Sequence, residues 1–198
     1  MTIISARDRL KADILTFLST NPYIRRINFA FATYKVYPSA YQRDVVEAIR
    51  RDDIVIRTRT PRAQLSGAVY DVNYDSLELS PQFAIANWRD QAFLIHECTH
   101  AHLDMRNLGV HSAHLDEAVA YLAEAVFVEA SGHRPLGTET IRVVAHEIAR
   151  RVLAGTYEVP AADSTRLVRA VAAHPLYAGT AVYQSNRFNR SWIHTILR

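Results

Sequence analysis

The sequence predicts an α+β fold that is rich in helix, with a small mixed or antiparallel sheet preceding a helix around residues 93–103. Apolar residues recur at helical spacing in several segments, whereas short β-branched and aromatic runs, separated by turn residues, lie before that helix. The 198 residues are 49% hydrophobic and 22% charged, as in ordinary globular proteins. Because no repeat or long linker divides them, we expect one domain over residues 1–198.

The predicted strands are short segments that are bounded by turn residues. Tyr23–Tyr34 and Ile54–Arg57 are rich in β-branched and aromatic residues, which favour strands. Ala68–Val72 and Leu77–Leu79 flank a polar stretch, and this pattern is typical of a hairpin.

Capping and stop signals predict four helices outside the central region. They are expected over Ser5–Ser19, Tyr41–Arg51, Thr138–Ala154 and Ala161–Ala173. In the third of these helices, polar residues follow one another four positions apart, at Arg142, His146 and Arg150. We expect them on one solvated face.

The segment His96-Glu97-Cys98-Thr99-His100 carries the strongest chemical signal of the chain. On an α-helix, His96 and His100 project from one face one turn apart, so both imidazoles can bind one Zn²⁺ at about 2.0–2.1 Å. Glu97 lies beside them and can reach a metal-bound water without being a ligand. Cys98 points away from the histidines and is expected to be a buried packing thiol.

A catalytic zinc site needs a third protein ligand and one open position. Glu117 is the favoured candidate. Ser112 can cap a second helix, which would have Glu117 near its start, and the short connection from the helix of residues 96–100 makes the two helices neighbours. Glu117, Tyr121 and Glu124 share one stripe of that helix. The ligands that remain open as alternatives are Glu124, His111 and His114.

The pattern His-Glu-x-x-His with a Glu on the next helix resembles the gluzincin branch of the zincin metallopeptidases, especially small bacterial single-domain members. The similarity covers about residues 65–130 and rests on residues 96–100 and on Glu117-Ala-x-Ala. The resemblance implies a zincin-like fold, zinc bound by His96, His100 and Glu117, and Glu97 as general base and acid.

The chain departs from larger gluzincins at Tyr121, where those proteins often carry an Asp that orients a zinc histidine. Glu124 could orient a zinc-bound imidazole instead, and Tyr121 is a candidate donor to the developing oxyanion. By residue type alone, the further donor candidates are His174, Tyr177, Tyr183 and His194.

In zincin-like folds an edge strand upstream of the zinc helix commonly holds the extended substrate. We therefore expect Ala68–Val72 or Leu77–Leu79 to pair with a peptide through backbone hydrogen bonds. A further hypothesis is that the aromatic tail after Pro175 crosses the cleft and keeps the enzyme latent.

Composition excludes several other classes of protein. The net charge of +3 without a long basic run does not indicate nucleic-acid binding, and no apolar run is long enough to predict a membrane span. The single cysteine excludes an intramolecular disulfide. Because the N-terminus lacks signal-peptide features, we expect cytoplasmic residence or export without a cleaved signal. Nothing in the pattern predicts the oligomeric state.

The sequence therefore predicts a zinc metallopeptidase that hydrolyses a peptide or protein substrate. Three alternatives remain. One is a zincin-fold regulator that cleaves a single partner, like the peptidases paired with phage-type repressors, and another is a secreted effector or toxin metalloprotease domain. The third is a non-catalytic module whose zinc is structural and closed by four protein ligands.

Overall fold

The computed structural model describes residues 5–58, 67–106, 110–177 and 183–184, and it is a helix-rich α+β structure. The helices are α1 (Ala6–Thr20), α2 (Val46–Arg50, preceded by a π-helical segment Ala40–Val45), α3 (Trp88–Met105), α4 (Ala113–Ala130), α5 (Thr140–Leu153) and α6 (Ala161–Ala172). The strands are β1 (Phe29–Phe31), β2 (Tyr34–Val36), β3 (Val55–Thr58), β4 (Ala68–Asp71), β5 (Ser76–Leu79), β6 (Val110–His111) and β7 (Tyr183–Gln184).

The described strands form three small sheets. The largest has the order β3-β5-β4, with β3 parallel and β4 antiparallel to the central strand β5. Antiparallel pairing joins β1 to β2, and β6 to β7. The predicted hairpin of residues 68–79 is therefore confirmed, and so is the mixed and antiparallel character of the sheets.

Helices α3 and α4 form the centre of the structure, and α4 also packs against α5 and α6. Helix α3 begins at Asn87, whose side chain accepts a hydrogen bond from the Arg89 N–H, and α4 begins at Ser112, which accepts from the Leu115 N–H. Both helices are largely apolar and bury most of their length. A polar group on their shared side must therefore find its partner inside the protein.

The predicted strand Tyr23–Tyr34 is wrong over most of its length. Residues Pro22–Arg26 form a 3₁₀ helix that is capped by the Asn21 side chain, and proline suits the first position of such a helix. The chain then forms β1 and turns back into β2 at Ala32, which has a φ of 52°. Loose alternation of apolar residues does not distinguish one strand from a short helix followed by a tight hairpin.

The predicted solvated face of α5 is wrong at Arg142 and His146, whereas the Arg150 side chain is 60% exposed as expected. His146 is buried, and its Nδ1 lies 2.8 Å from Glu129 Oε1 on α4. Arg150 contacts the same carboxylate at 2.9 Å, and Arg142 reaches Glu124. The spacing of four residues showed correctly that these side chains share a face, and the acidic residues of α4 cover that face at Arg142 and His146.

Among the described residues, no helix combines the length and apolarity that crossing a membrane requires.

His102 makes a specific pH dependence of stability testable. The side chain is buried against the Tyr37 ring, and burial, assisted by Arg106, lowers its pKa to about 4. The folded chain therefore excludes a proton that the unfolded chain binds below its ordinary pKa of about 6.5. This contribution to stability is complete above that pH and is lost as pH falls towards 4.

When the pH is lowered from about 7 to about 4.5, the unfolding free energy of wild type should fall. In His102→Phe we expect this fall to be about 1–3 kcal/mol smaller, because the titrating side chain is gone. Urea unfolding of the metal-free proteins at both pH values measures the difference. His133→Phe is the matched control, because His133 is an exposed loop histidine. Equal pH dependence in wild type and His102→Phe would contradict the assignment.

Candidate metal centre

Two histidines of α3 point into the space between α3 and α4. His96 and His100 are four residues apart, and their Nε2 atoms lie 3.2 Å from each other. Both side chains are almost completely buried. Two imidazole nitrogens that face each other this closely in an apolar interior form a site for a shared proton or a metal ion.

Glu117 on α4 completes the group of donor atoms. One of its carboxylate oxygens lies 3.4 Å from His96 Nε2, and the other lies 3.6 Å from His100 Nε2. The edges of a tetrahedron with metal–ligand bonds of 2.0–2.1 Å measure about 3.3 Å. The three residues therefore present donors at spacings that could hold a metal ion, and their donor atoms lie within 4.8 Å of one another.

The charges of these residues are strongly coupled. Burial by itself lowers the pKa of His96 and His100, but the neighbouring carboxylates outweigh it and raise both pKa values: Glu117 and Glu97 act on both, and Glu124 also acts on His96. Burial likewise tends to raise the pKa of Glu117, and the two imidazoles bring it below its usual range. The pocket thus stabilises positive charge next to an ionised carboxylate, which also favours a bound cation.

Glu97 joins this cluster to the sheet. Its Oε2 accepts a hydrogen bond from the Tyr70 backbone N–H of β4 at 2.6 Å. Burial raises the pKa of Glu97, while His96 and His100 act in the opposite direction. The carboxylate is therefore fixed beside the donor group without belonging to it, and it can act as a base there.

Strand β4 is the edge of the three-stranded sheet that faces this site. Gly67 C=O accepts from the Ser80 N–H on the β5 side, so the backbone groups of Ala68 and Tyr70 point away from β5. Strand β5 is paired on both sides. Of the two predicted substrate-pairing segments, Leu77–Leu79 is therefore wrong, because a central strand has no free edge.

Two tyrosines lie on the opposite side of the cluster. The Tyr121 ring is 4.7 Å from the His96 ring, and the Tyr121 and Tyr177 hydroxyls are 2.9 Å apart. Tyr177 follows α6 and also lies next to Glu117, which contributes to the raised pKa of its phenol after the larger effect of burial. Of the remaining donor candidates, His174 lines the same cavity, and the Tyr183 side chain and His194 are outside the described residues.

A cavity of about 390 Å³ connects these groups. Its walls come from β4, α3, the first turns of α4, the start of α5 and the segment after α6. The residues that carry its chemistry are His96, Glu97, His100, Glu117, Tyr121, Arg142 and Tyr177.

The other residues considered as ligands lie elsewhere. Glu124 Oε2 is 3.2 Å from His96 Nδ1, on the side of the ring that faces away from the donor cluster. His114 Nε2 lies 3.3 Å from the Tyr177 carbonyl oxygen, and the His111 side chain is outside the described residues. Arg142, which contacts Glu124, is a residue of the site that sequence reasoning missed, because its partner lies on another helix.

Comparison of the chain with protein-family models, with curated proteins and with solved structures finds no match. Function is therefore argued from the residues of the site.

The cluster makes metal binding directly testable. We expect the protein to bind one Zn²⁺, and His96→Ala, His100→Ala and Glu117→Ala each to weaken binding by at least about 100-fold, because each removes one of three ligands. Competition with a chromophoric chelator measures the affinity. His133→Ala serves as the control, and unchanged affinity in all three ligand variants would show that zinc binds elsewhere.

Proposed function

We propose that this protein is a zinc-dependent metallopeptidase with a zincin-like fold. The observation that carries the proposal is the meeting of three elements around one cavity. Helices α3 and α4 supply two imidazoles and a carboxylate, Glu97 lies beside them, and the outer strand β4 borders the same space. This combination supports hydrolysis of an extended peptide.

The donor set supports zinc as the metal. Two histidine nitrogens and one carboxylate are a common ligand set of catalytic zinc, which leaves a further position for water or substrate. When bound, zinc lowers the pKa of a coordinated water to about 7 and polarises the carbonyl that is attacked.

Glu97 has the position and the environment of the general base. It takes a proton from the attacking water and delivers it to the leaving amine. Its raised pKa suits both halves of this task, because a carboxyl group that is less acidic holds the proton more readily until the amine leaves. The Tyr70 N–H keeps the carboxylate turned towards the cavity.

The edge of β4 supports a peptide as substrate. The backbone N–H and C=O of Ala68 point out of the sheet into the cavity, whereas the Tyr70 N–H is already used by Glu97. A substrate strand therefore pairs at Ala68, two residues before the Tyr70 N–H that holds Glu97.

A structural zinc module is the less supported alternative. Closed sites have four protein ligands, whereas the cluster in the described part of the chain contains three. The repressor-paired regulator and the effector or toxin share the proposed chemistry and differ in their substrate.

Replacing Glu97 separates catalysis from metal binding. We expect Glu97→Gln to retain zinc and to lose about 10²–10⁴-fold in kcat, because an amide accepts no proton. Cleavage of a peptide library followed by mass spectrometry, with zinc content measured on the same samples, tests this. Glu147→Gln, an exposed change on α5, is the control. Full cleavage by Glu97→Gln would eliminate the mechanism.

Tyr177 is the expected donor to the oxyanion, because its hydroxyl borders both Tyr121 and Glu117. We expect Tyr177→Phe to lower kcat by about 10²-fold while KM and zinc affinity stay within about twofold. Steady-state kinetics on one identified peptide measures the change. An equal loss in Tyr121→Phe with none in Tyr177→Phe would assign the role to Tyr121.

A further inference from the structure

A line of charged side chains leads from His96 across α4 to α5. His96 Nδ1 lies 3.2 Å from Glu124 Oε2, and Arg142 Nη1 donates to the other oxygen, Glu124 Oε1. Arg142 Nε is in turn 3.6 Å from Glu139 Oε2 at the start of α5. Glu124 therefore uses one oxygen for the imidazole and one for the guanidinium.

This arrangement is buried and held on several sides. The Glu124 side chain is 3% exposed and that of Arg142 is 15% exposed. The guanidinium carbon lies 5.3 Å from the Tyr121 ring centre and 5.9 Å from that of Phe93. Aromatic faces next to a guanidinium group stabilise its charge and restrict its orientation.

The chemistry of the metal centre depends on which nitrogen of His96 carries the proton. An Nδ1–H that donates to Glu124 leaves the Nε2 lone pair free towards His100 and Glu117. A charged side chain this deeply buried needs a partner of opposite charge, and that partner also fixes the orientation of the carboxylate. Among the described residues, Arg142 is the cation on that carboxylate.

Of the two histidines, His96 is the one that a carboxylate can orient through Nδ1. Among the described residues, the buried Nδ1 of neither histidine makes an aligned hydrogen bond, but His96 Nδ1 has the Glu124 carboxylate 3.2 Å away. The ion pair described for His100 lies on its Nε2, so Glu124 can act on the histidine pair from the His96 side.

We propose that Arg142 is a positioning residue of the metal centre, which fixes Glu124 so that Glu124 holds His96 in its metal-binding orientation and tautomer. The inference rests on the proposed function, since it requires that the cluster of His96, His100 and Glu117 binds zinc. In this role Arg142 acts through Glu124 and is not one of the donors of the cluster.

The direction in which zinc affinity changes on replacing Arg142 is informative, because two effects of the replacement oppose each other. Removing Arg142 takes a positive charge away from the neighbourhood of a cation, which by Coulomb's law would tighten zinc binding. Loss of the orienting partner weakens it, and changes in such outer partners typically cost about 10–100-fold in metal affinity. Weaker binding in an Arg142 variant therefore reports lost positioning.

A double-mutant cycle on zinc affinity tests the proposal. We expect Arg142→Gln to weaken zinc binding about 10-fold and Glu124→Gln about 10–100-fold, with the double variant no weaker than Glu124→Gln alone. Arg142→Lys should recover part of the affinity, because it restores the charge without the planar fork. Chelator competition gives the affinities without any catalytic assay.

The controls separate positioning from folding. Arg150→Gln removes another α5 arginine that pairs with α4 at Glu129, and it should leave zinc affinity unchanged. Thermal unfolding of the zinc-free proteins tests for a general loss of structure, and Arg142→Lys keeps the cycle interpretable if the Gln variant unfolds. Tighter binding in Arg142→Gln, or effects of the two Gln changes that multiply, would overturn the proposal. Absence of zinc binding by wild type would overturn the metal centre itself.

Discussion

The structure depends on two imidazoles and one carboxylate that meet inside an apolar helix pair. Nitrogen and oxygen atoms 3.2–3.6 Å apart are costly in such surroundings unless a proton or a cation joins them. Helices α3 and α4 pack against each other through buried apolar residues such as Leu94, Ala101 and Leu122, and the polar groups lie between them. The same packing that stabilises the core therefore defines the position, the burial and the electrostatics of the site.

The sheet is connected to this centre through one backbone hydrogen bond. Glu97 accepts from the Tyr70 N–H, and the Tyr70 hydroxyl lies 2.9 Å from Asp104, two turns further along α3. Tyr70 thus holds the edge strand along the helix at two points. The positions of β4 and of Glu97 are therefore linked, and under the proposed function the same contacts would align a bound peptide with Glu97.

Charge balance extends the centre beyond its ligands. Glu117 faces both histidines, Glu124 contacts the far side of one of them, and Arg142 compensates Glu124 from α5. On the other side, the Tyr121 and Tyr177 hydroxyls contact each other at 2.9 Å and supply further polar groups to the cavity. Helix α5, whose polar residues were expected to be solvated, therefore takes part in the electrostatics of the cavity.

The sequence by itself determined the features that depend on local geometry. The four-residue spacing places His96 and His100 on one face of any helix, Ser112 caps α4 in advance of Glu117, and the alternating residues 68–79 form a hairpin. Tertiary structure alone decided which hairpin strand is the edge, that Tyr177 reaches the cavity and that Arg142 lies on Glu124. These are contacts between segments far apart in the chain, and periodicity within one segment contains no information about its partner.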